Sequence, residues 1–209
     1  MPNVTNIKSI YFAAASATDR NGICAAQTTS GAASLTLNGA GVSSGTASFG
    51  AGNIAQITIY AASANTGVNF TVTGTGTDLA SQTEVIAGPG AGATITLTNK
   101  FTTVTAVSVD AAITGNAEVG WTKQDPQVGC VFAGRTRIRG IQGLSGTTAG
   151  IITFNNTSIT GTTLLTIPTT TTAELIEPYI PDNGILFTGG AYFSAPDAVA
   201  NGVTVFYDG

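Results

Sequence analysis

Hydrophobic and polar residues alternate over most of residues 54–121. In the first run, Ile57 and Ile59 alternate with Thr58 and Tyr60, and the same period of two returns in the runs that follow. Successive side chains of a strand point to opposite faces, so each run predicts a strand with one apolar face and one threonine-rich face. Breaks rich in glycine and asparagine supply the turns. The pattern predicts an all-β protein, an antiparallel β-sandwich or jelly-roll-like fold.

One irregularity interrupts this alternation. Phe101 and Val104 are three residues apart, whereas Val107 and Val109 are two apart. A β-bulge or a strand break near Thr103 would bring all four side chains to the same face. Farther along, the single tryptophan, Trp121, is predicted to be the largest core residue of this half. In the glycine-rich loop at residues 39–53, Phe49 is the candidate anchor.

The remaining segments predict two β domains and an extended N-terminal arm. Residues 1–31 have little periodicity and are interpreted as the arm, with one short strand near residues 7–13. The first β-sandwich domain spans residues 32–122 and the second β domain spans residues 123–209. The boundary is placed in the charged, proline-containing segment 122–129. The only helix-like candidate is residues 173–177, which Pro178 and Pro181 limit to about one turn.

Composition excludes several classes of function. The chain of 209 residues has 7 basic and 11 acidic residues and a net charge of -4. Such a balance argues against a nucleic-acid partner, because phosphate neutralisation needs a basic surface. Histidine is absent, which removes the commonest proton shuttle and transition-metal ligand. We therefore predict no cofactor, no metal and no enzymatic activity. No apolar run is long enough for a signal peptide or a membrane span, so we expect no membrane partner and synthesis in a cytosol.

Cys24 and Cys130 are far apart in the sequence. They would form a disulfide only in an oxidising compartment, and two isolated thiols in a β-sandwich are more typical of plain buried residues. The spacing fits no metal site.

Arg135, Arg137 and Arg139 form the densest positive cluster of the chain. At a period of two, they would project from one face of a strand and could pair with carboxylates of a partner. The alternative is a solvated strand face whose charges prevent aggregation.

Other candidates for chemistry are weaker. Glu174, Glu177 and Asp182 lie near a proline-rich turn, and paired carboxylates can hydrolyse glycosidic bonds. Only one aromatic residue, Tyr179, lies close to them in sequence, so a structural role is favoured. The glycine-rich loops at residues 74–78 and 88–94 lack the lysine of a phosphate-binding loop and are interpreted as turns.

Three segments share a cadence of short threonine-rich strands and glycine turns: QITIYAASANTGVNFTVTGTGTDLASQTEVIAGP, TLTNKFTTVTAVSVDAAITGNAEVGW and IPDNGILFTGGAYFSAPDAVANGVTVFYDG. In this cadence the chain resembles small β-rich virion proteins of tailed bacteriophages, in particular those that decorate or cement the capsid. The resemblance implies a non-enzymatic protein made in the host bacterial cytoplasm. It would bind the major capsid protein on the outer surface of the capsid, commonly as a homotrimer. It supplies no functional residues.

Three alternatives stay open at this point. The first is a phage tail or host-attachment component that binds a receptor or glycan. The second is a small hydrolase that uses Glu174 and Glu177. The third is a secreted bacterial adhesion module, which would require a disulfide between Cys24 and Cys130.

Overall fold

The computed structural model describes residues 7–14, 16–50, 52–123, 127–196 and 200–209. These residues form antiparallel strands and turns without any helix, so the all-β prediction is confirmed. It follows that none of the described residues belong to a helix long and apolar enough to cross a membrane.

In chain order, the described residues form the strands β1 (Lys8–Phe12), β2 (Asp19–Gln27), β3 (Ala33–Ser34), β4 (Val42–Ser43), β5 (Thr46–Ser48), β6 (Ala55–Ala61), β7 (Asn69–Thr75), β8 (Ser81–Ala87), β9 (Ala93–Phe101), β10 (Thr103–Val109), β11 (Ala117–Thr122), β12 (Gln127–Phe132), β13 (Thr136–Ser145), β14 (Gly150–Asn156), β15 (Thr163–Thr169), β16 (Leu175–Ile176), β17 (Ile185–Phe187), β18 (Ala191–Ala195) and β19 (Ala200–Asp208).

The chain divides into two compact units. The first unit consists of Ser16–Phe49 and Ile54–Lys123, and the second consists of Met1–Ala15, Gly50–Asn53 and Gln124–Gly209. The chain therefore begins in the second unit and returns to it twice.

The predicted arm at residues 1–31 is shared between these units. Strand β1, close to the strand predicted at residues 7–13, pairs with β19 of the second unit, and β2 pairs with β11 of the first. Both pairings satisfy backbone groups that an isolated arm would leave to solvent. Residues 1–6 and 15 of the predicted arm and residues 124–126 of the predicted boundary lie outside the described residues.

The first unit is a sandwich of two sheets around one core. Its six-stranded sheet has the order β4-β5-β10-β7-β8, with β3 also paired to β10, and its four-stranded sheet has the order β2-β11-β6-β9. Ile57 and Ile59 from one sheet and Phe70 and Val72 from the other belong to the same buried cluster. The alternation read from the sequence places these apolar side chains in the core, as predicted, and leaves Thr71 and Thr73 of β7 partly exposed, whereas Thr58 of β6 is itself buried.

Trp121 is part of this core, as predicted. Its indole Nε1 donates a hydrogen bond to the carbonyl of Ala17 at 2.9 Å, and its ring meets the edge of the Phe49 ring at a centroid distance of 5.3 Å. A Cβ atom at Gly22 or Gly41 would lie within 3 Å of the indole. Only glycine therefore allows the backbone to approach the ring this closely.

The irregularity near Thr103 is also confirmed. Strand β9 ends at Phe101 and β10 begins at Thr103, and the register of β10 against β7 shifts between Val104 and Ala106. This shift turns Val104 and Val107, three residues apart, toward the same core.

One side of the first unit is closed by polar side chains. Strands β8 and β9 are edge strands of the two sheets. The Glu84 carboxylate on β8 accepts hydrogen bonds from the backbone N–H groups of Thr98 and Asn99, at 2.9 and 2.8 Å. Gln82 donates its side-chain amide to the carbonyl of Lys100 at 3.0 Å. These contacts occupy backbone groups that an edge strand would otherwise present to solvent.

The second unit is likewise built from two sheets. The five-stranded sheet has the order β1-β19-β13-β16, with β17 also paired to β13, and the four-stranded sheet has the order β12-β18-β14-β15. Phe12 of the first sheet stacks on Phe193 of the second at a centroid distance of 4.6 Å, and Phe154 meets Phe193 edge-on at 5.7 Å. Aromatic rings from both sheets therefore form the centre of the core.

Residues 50–53 belong to the second unit, and Asn53 holds them there through hydrogen bonds to two other segments of that unit. Its backbone forms a β-bridge with Gly129, and its side-chain amide donates to the carbonyls of Ala13 and Ala14 at 3.1 and 3.3 Å. Gln127 donates to the Asn53 side-chain oxygen at 2.6 Å.

The predicted helical turn at residues 173–177 is wrong, because these residues contain β16. Leu144 and Leu175 are cross-strand partners in its pairing with β13. The backbone N–H of Ser145 donates to the carbonyl of Glu174 at 2.8 Å, and the Glu174 N–H donates to the Ser145 hydroxyl at 2.7 Å. Pairing with a strand satisfies these groups, whereas a single helical turn would leave most of its own unsatisfied.

Candidate interaction surface

Two of the three arginines predicted to share a strand face lie in a strand. Arg137 and Arg139 belong to β13, whereas Arg135 precedes it in an exposed bend. The expectation of one strand face for all three is therefore wrong for Arg135. Pairing with β17 begins only at Thr136, opposite Phe187, so the preceding residue is not held in the ladder.

The two strand arginines contact groups of their own unit. Arg137 donates from Nη1 to the carbonyl of Asn183 at 3.0 Å. The Nε atom of Arg139 lies 3.7 Å from a carboxylate oxygen of Asp208, an ion pair that is too long for a hydrogen bond.

A shallow pocket of about 400 Å³ opens beside Arg139, and we call it the Arg139 pocket. The pairing of β13 with β19 shifts between Ile138 and Gly140, so Arg139 is the extra residue of a bulge. Gly140 is the cross-strand partner of Phe206, which also lines the pocket. The rest of the lining includes Gln142, Glu177, Pro178 and Ile180.

The three candidate carboxylates have different surroundings. The Glu174 carboxylate accepts hydrogen bonds from the hydroxyls of Thr170 and Thr172, at 3.1 and 2.8 Å, and thereby orders the loop before β16. Glu177 and Asp182 are exposed and have no hydrogen bond or ion pair with any described residue. Glu174 therefore has a structural contact, while Glu177 is available at the mouth of the Arg139 pocket.

Cys24 and Cys130 are buried, lie in different units and are not joined in a disulfide. Burial raises the pKa of the Cys24 thiol to about 12, so this thiol is protonated near neutral pH. The interpretation of both as buried residues is confirmed, and the disulfide that an adhesion module would require is not formed.

The glycine-rich loops are turns, as predicted. Residues 76–80 join β7 to β8, and the Gly76 N–H donates to the carbonyl of Ala80 at 2.8 Å. Residues 88–92 join β8 to β9, with Gly92 at a φ of 66°. Among the described residues, no group of three or more histidine, cysteine, aspartate or glutamate side chains is arranged to hold a metal ion.

A second surface lies where β15 and β16 meet, and we call it the open edge. These are end strands of the two sheets of the second unit. A pocket of about 190 Å³ between them is lined by Pro168 of β15, Leu175 of β16 and Glu174 of the connecting loop. Half of its lining is polar or charged, namely Ser145, Thr169, Thr170, Glu174 and Glu177. No charged residue occurs in β15, whose sequence is TLLTIPT. Two features of this strand are of kinds that protect a sheet edge from further pairing: Pro168, and a register shift against β14 at Leu164.

Exposed aliphatic side chains flank this pocket on both sheets. Leu175 is 63% exposed, and its cross-strand partner Leu144 is 46% exposed. Ile151, the cross-strand partner of Pro168, is 53% exposed, and Leu164 of β15 is 42% exposed. These five residues define the open edge: Pro168 and Leu175 line the pocket, Leu144 and Ile151 are their cross-strand partners, and Leu164 lies farther along β15.

The open edge was not predicted from the period of two. That period assigns one face of each strand to the core and the other to water, although β14 and β15 contain the adjacent apolar pairs Ile151-Ile152 and Leu164-Leu165. The inward member of each pair lies in or against the core and the outward member is exposed. Two adjacent apolar residues in a strand place one on each face, so these pairs could have indicated that the outer face is apolar as well.

No known protein family, curated protein or solved structure matches this chain in comparisons with each. Function is therefore inferred from the residues themselves and from the geometry of the open edge and the Arg139 pocket.

Proposed function

We propose that this chain is a virion structural protein that binds and stabilises the outer surface of a phage capsid, as a decoration or cement protein. The observation that carries the proposal is the open edge, an uncharged edge strand flanked by exposed aliphatic side chains. The sequence cadence shared with capsid-decorating proteins supports the same role. The partner in this proposal is the major capsid protein, and the protein is made in the host bacterial cytoplasm before it joins the virion.

The open edge suits a protein partner on energetic grounds. Full burial of an exposed leucine or isoleucine contributes about 1.5–3 kcal/mol, so even a few such side chains support a moderate contact. Backbone groups along a free edge can add a strand from the partner. On a shell with many equivalent positions, several moderate contacts combine into strong attachment.

Self-association as a homotrimer is part of the same proposal. The resemblance to capsid-decorating proteins supports a homotrimer. Sedimentation of the purified protein measures its oligomeric state directly. The partner-binding role of Arg135, Arg137 and Arg139 stays a prediction, with Arg135 the most exposed of the three.

A charge inserted in the open edge tests the proposal. We expect the double variant Leu164→Lys with Leu175→Lys to lose at least about tenfold in affinity for capsid shells, because two buried aliphatic contacts are replaced by desolvated charges. The measurement is co-sedimentation with shells assembled from the major capsid protein of the same phage. Circular dichroism checks that the fold is kept.

The matched control is Val85→Lys, on an exposed strand position of the first unit. It adds the same charge to a side chain that is 61% exposed and should leave shell binding unchanged. Equal binding by the double variant, or no shell binding by the unmodified protein, would contradict the proposed function.

A further inference from the structure

The Arg139 pocket contains a cation with unused hydrogen-bond donors. The Arg139 side chain is 22% exposed, and its nearest carboxylate, on Asp208, is 3.7 Å from Nε. Within the described residues its guanidinium makes no hydrogen bond. A planar guanidinium presents paired donors that match the two oxygens of a carboxylate. Arg137, by contrast, is already bonded to a backbone carbonyl.

The aromatic ring of Phe206 lies beside this cation, with Ser9 opposite it on β1 and a glycine opposite it on β13. Phe206 points away from the core, since its neighbour Val205 is buried, and its cross-strand partner is Gly140. A Cβ atom at residue 140 would lie 3.3 Å from the Phe206 ring. The absence of that atom leaves more of the ring surface available to a bound molecule.

The remaining lining combines polar and apolar groups. Glu177 is exposed and supplies acceptors, and Gln142 supplies both donors and acceptors. Pro178 and Ile180 add an apolar wall. A ligand that matches all of these groups carries a carboxylate, an apolar ring face and hydroxyls that donate to Glu177.

We propose that the Arg139 pocket binds a uronic acid residue of an acidic polysaccharide. The carboxylate pairs with Arg139, the C–H face of the sugar ring packs on Phe206, and sugar hydroxyls bond to Gln142 and Glu177. A volume of about 400 Å³ is within the usual range for ligand pockets. An acidic peptide offers carboxylates to Arg139 and backbone N–H donors to Glu177, but it lacks the rigid C–H ring face that packs on Phe206. This activity goes beyond capsid binding and does not depend on it.

The test is titration of the full chain with a galacturonic acid tetramer. Calorimetry measures the affinity, and NMR shifts of the pocket residues locate the binding site. The titration is done at about 0.15 M salt to screen long-range attraction. We expect Arg139→Gln to weaken binding by about tenfold or more, through loss of a charge-assisted pair. Arg137→Gln, which removes the same charge from a neighbouring position, should change the affinity by less than about twofold, because this side chain lies outside the pocket lining.

Gly140→Ala provides a second variant that keeps every charged group. Its added methyl group covers part of the Phe206 ring and should weaken binding of the tetramer. An NMR spectrum of a folded protein excludes unfolding as the cause. Absence of tetramer binding would overturn the proposal. So would equal binding of the methyl-esterified tetramer or of polyglutamate, or equal losses in Arg139→Gln and Arg137→Gln. None of these outcomes bears on shell binding, which is measured separately.

Discussion

The two units have similar cores but different free edges. In the first unit, Glu84 and Gln82 of β8 reach the backbone of β9 and satisfy three of its polar groups. In the second unit, the end strands β15 and β16 leave a pocket between them, lined partly by Pro168 and Leu175. Polar side chains close one edge, whereas the other leaves a pocket with mixed polar and apolar lining and has exposed aliphatic side chains nearby.

The difference suggests separate roles for the two edges, one in the stability of its unit and the other in binding. Free edges of sheets attract other chains, so a protein either covers them or uses them. The first unit covers one edge with charge-assisted hydrogen bonds inside the unit. The second leaves an uncharged strand and exposed aliphatic groups, and on this ground we propose that a partner binds there.

The largest expected effects concern the cores, where the two units should behave alike. Trp121→Ala in the first unit and Phe193→Ala in the second should each lower the free energy of unfolding by about 3–5 kcal/mol, because each leaves a large cavity. Urea unfolding measures the cost, and amide hydrogen exchange shows which unit loses protection. A loss of less than about 1 kcal/mol for either variant would contradict the view that both rings are central to their cores.

Glu84→Ala should remove the contacts between β8 and the backbone of β9 that this carboxylate makes, and should lower the free energy of unfolding by less than the core substitutions do. The backbone N–H groups of Thr98 and Asn99 would lose their acceptor, which costs about 1–3 kcal/mol for each group left without a partner and less where water replaces it. Urea unfolding gives the stability, and exchange rates of these two amides give the local effect.

Glu177→Ala is the matched control for this change. It removes an exposed carboxylate of the second unit that has no hydrogen bond to the described residues, so stability should change by no more than about 0.5 kcal/mol. Equal losses in the two variants would show that the Glu84 contacts do not stabilise the edge.

The smallest effect is a pH dependence confined to the first unit. Backbone and side-chain hydrogen bonds from Asn69 lower the pKa of the Asp110 carboxyl. A lowered folded-state pKa contributes stability above the unfolded pKa of about 3.9, and this contribution is lost as pH falls through the folded value. We expect Asp110→Asn to reduce the loss of stability between about pH 5 and pH 2. Unfolding curves across this range test it, with Asp182→Asn as the control. An unchanged pH profile in Asp110→Asn would contradict the assignment.

Much of the fold was predictable because it depends on local periodicity. The strand pattern of residues 54–121, the irregularity near Thr103 and the buried positions of Trp121 and Phe49 all follow from which side chains must leave water. The errors occur where pairing with a distant strand outweighs local preference. Residues 173–177 look helical alone, but Leu175 and Ile176 within them pair with β13. Arg135 falls outside the strand whose spacing it shares.

The fold class, the core faces of the strands and the turns could all be read from the residues, because alternation and glycine placement act within a few positions of the chain. Strand pairing in three dimensions was needed to show which strands end each sheet, that β1 pairs with β19, and that Pro168 and Leu175 line one pocket. Those facts depend on contacts between residues far apart in the chain. Period and composition carry no record of such contacts, so the open edge and the Arg139 pocket became visible only once the strands were paired.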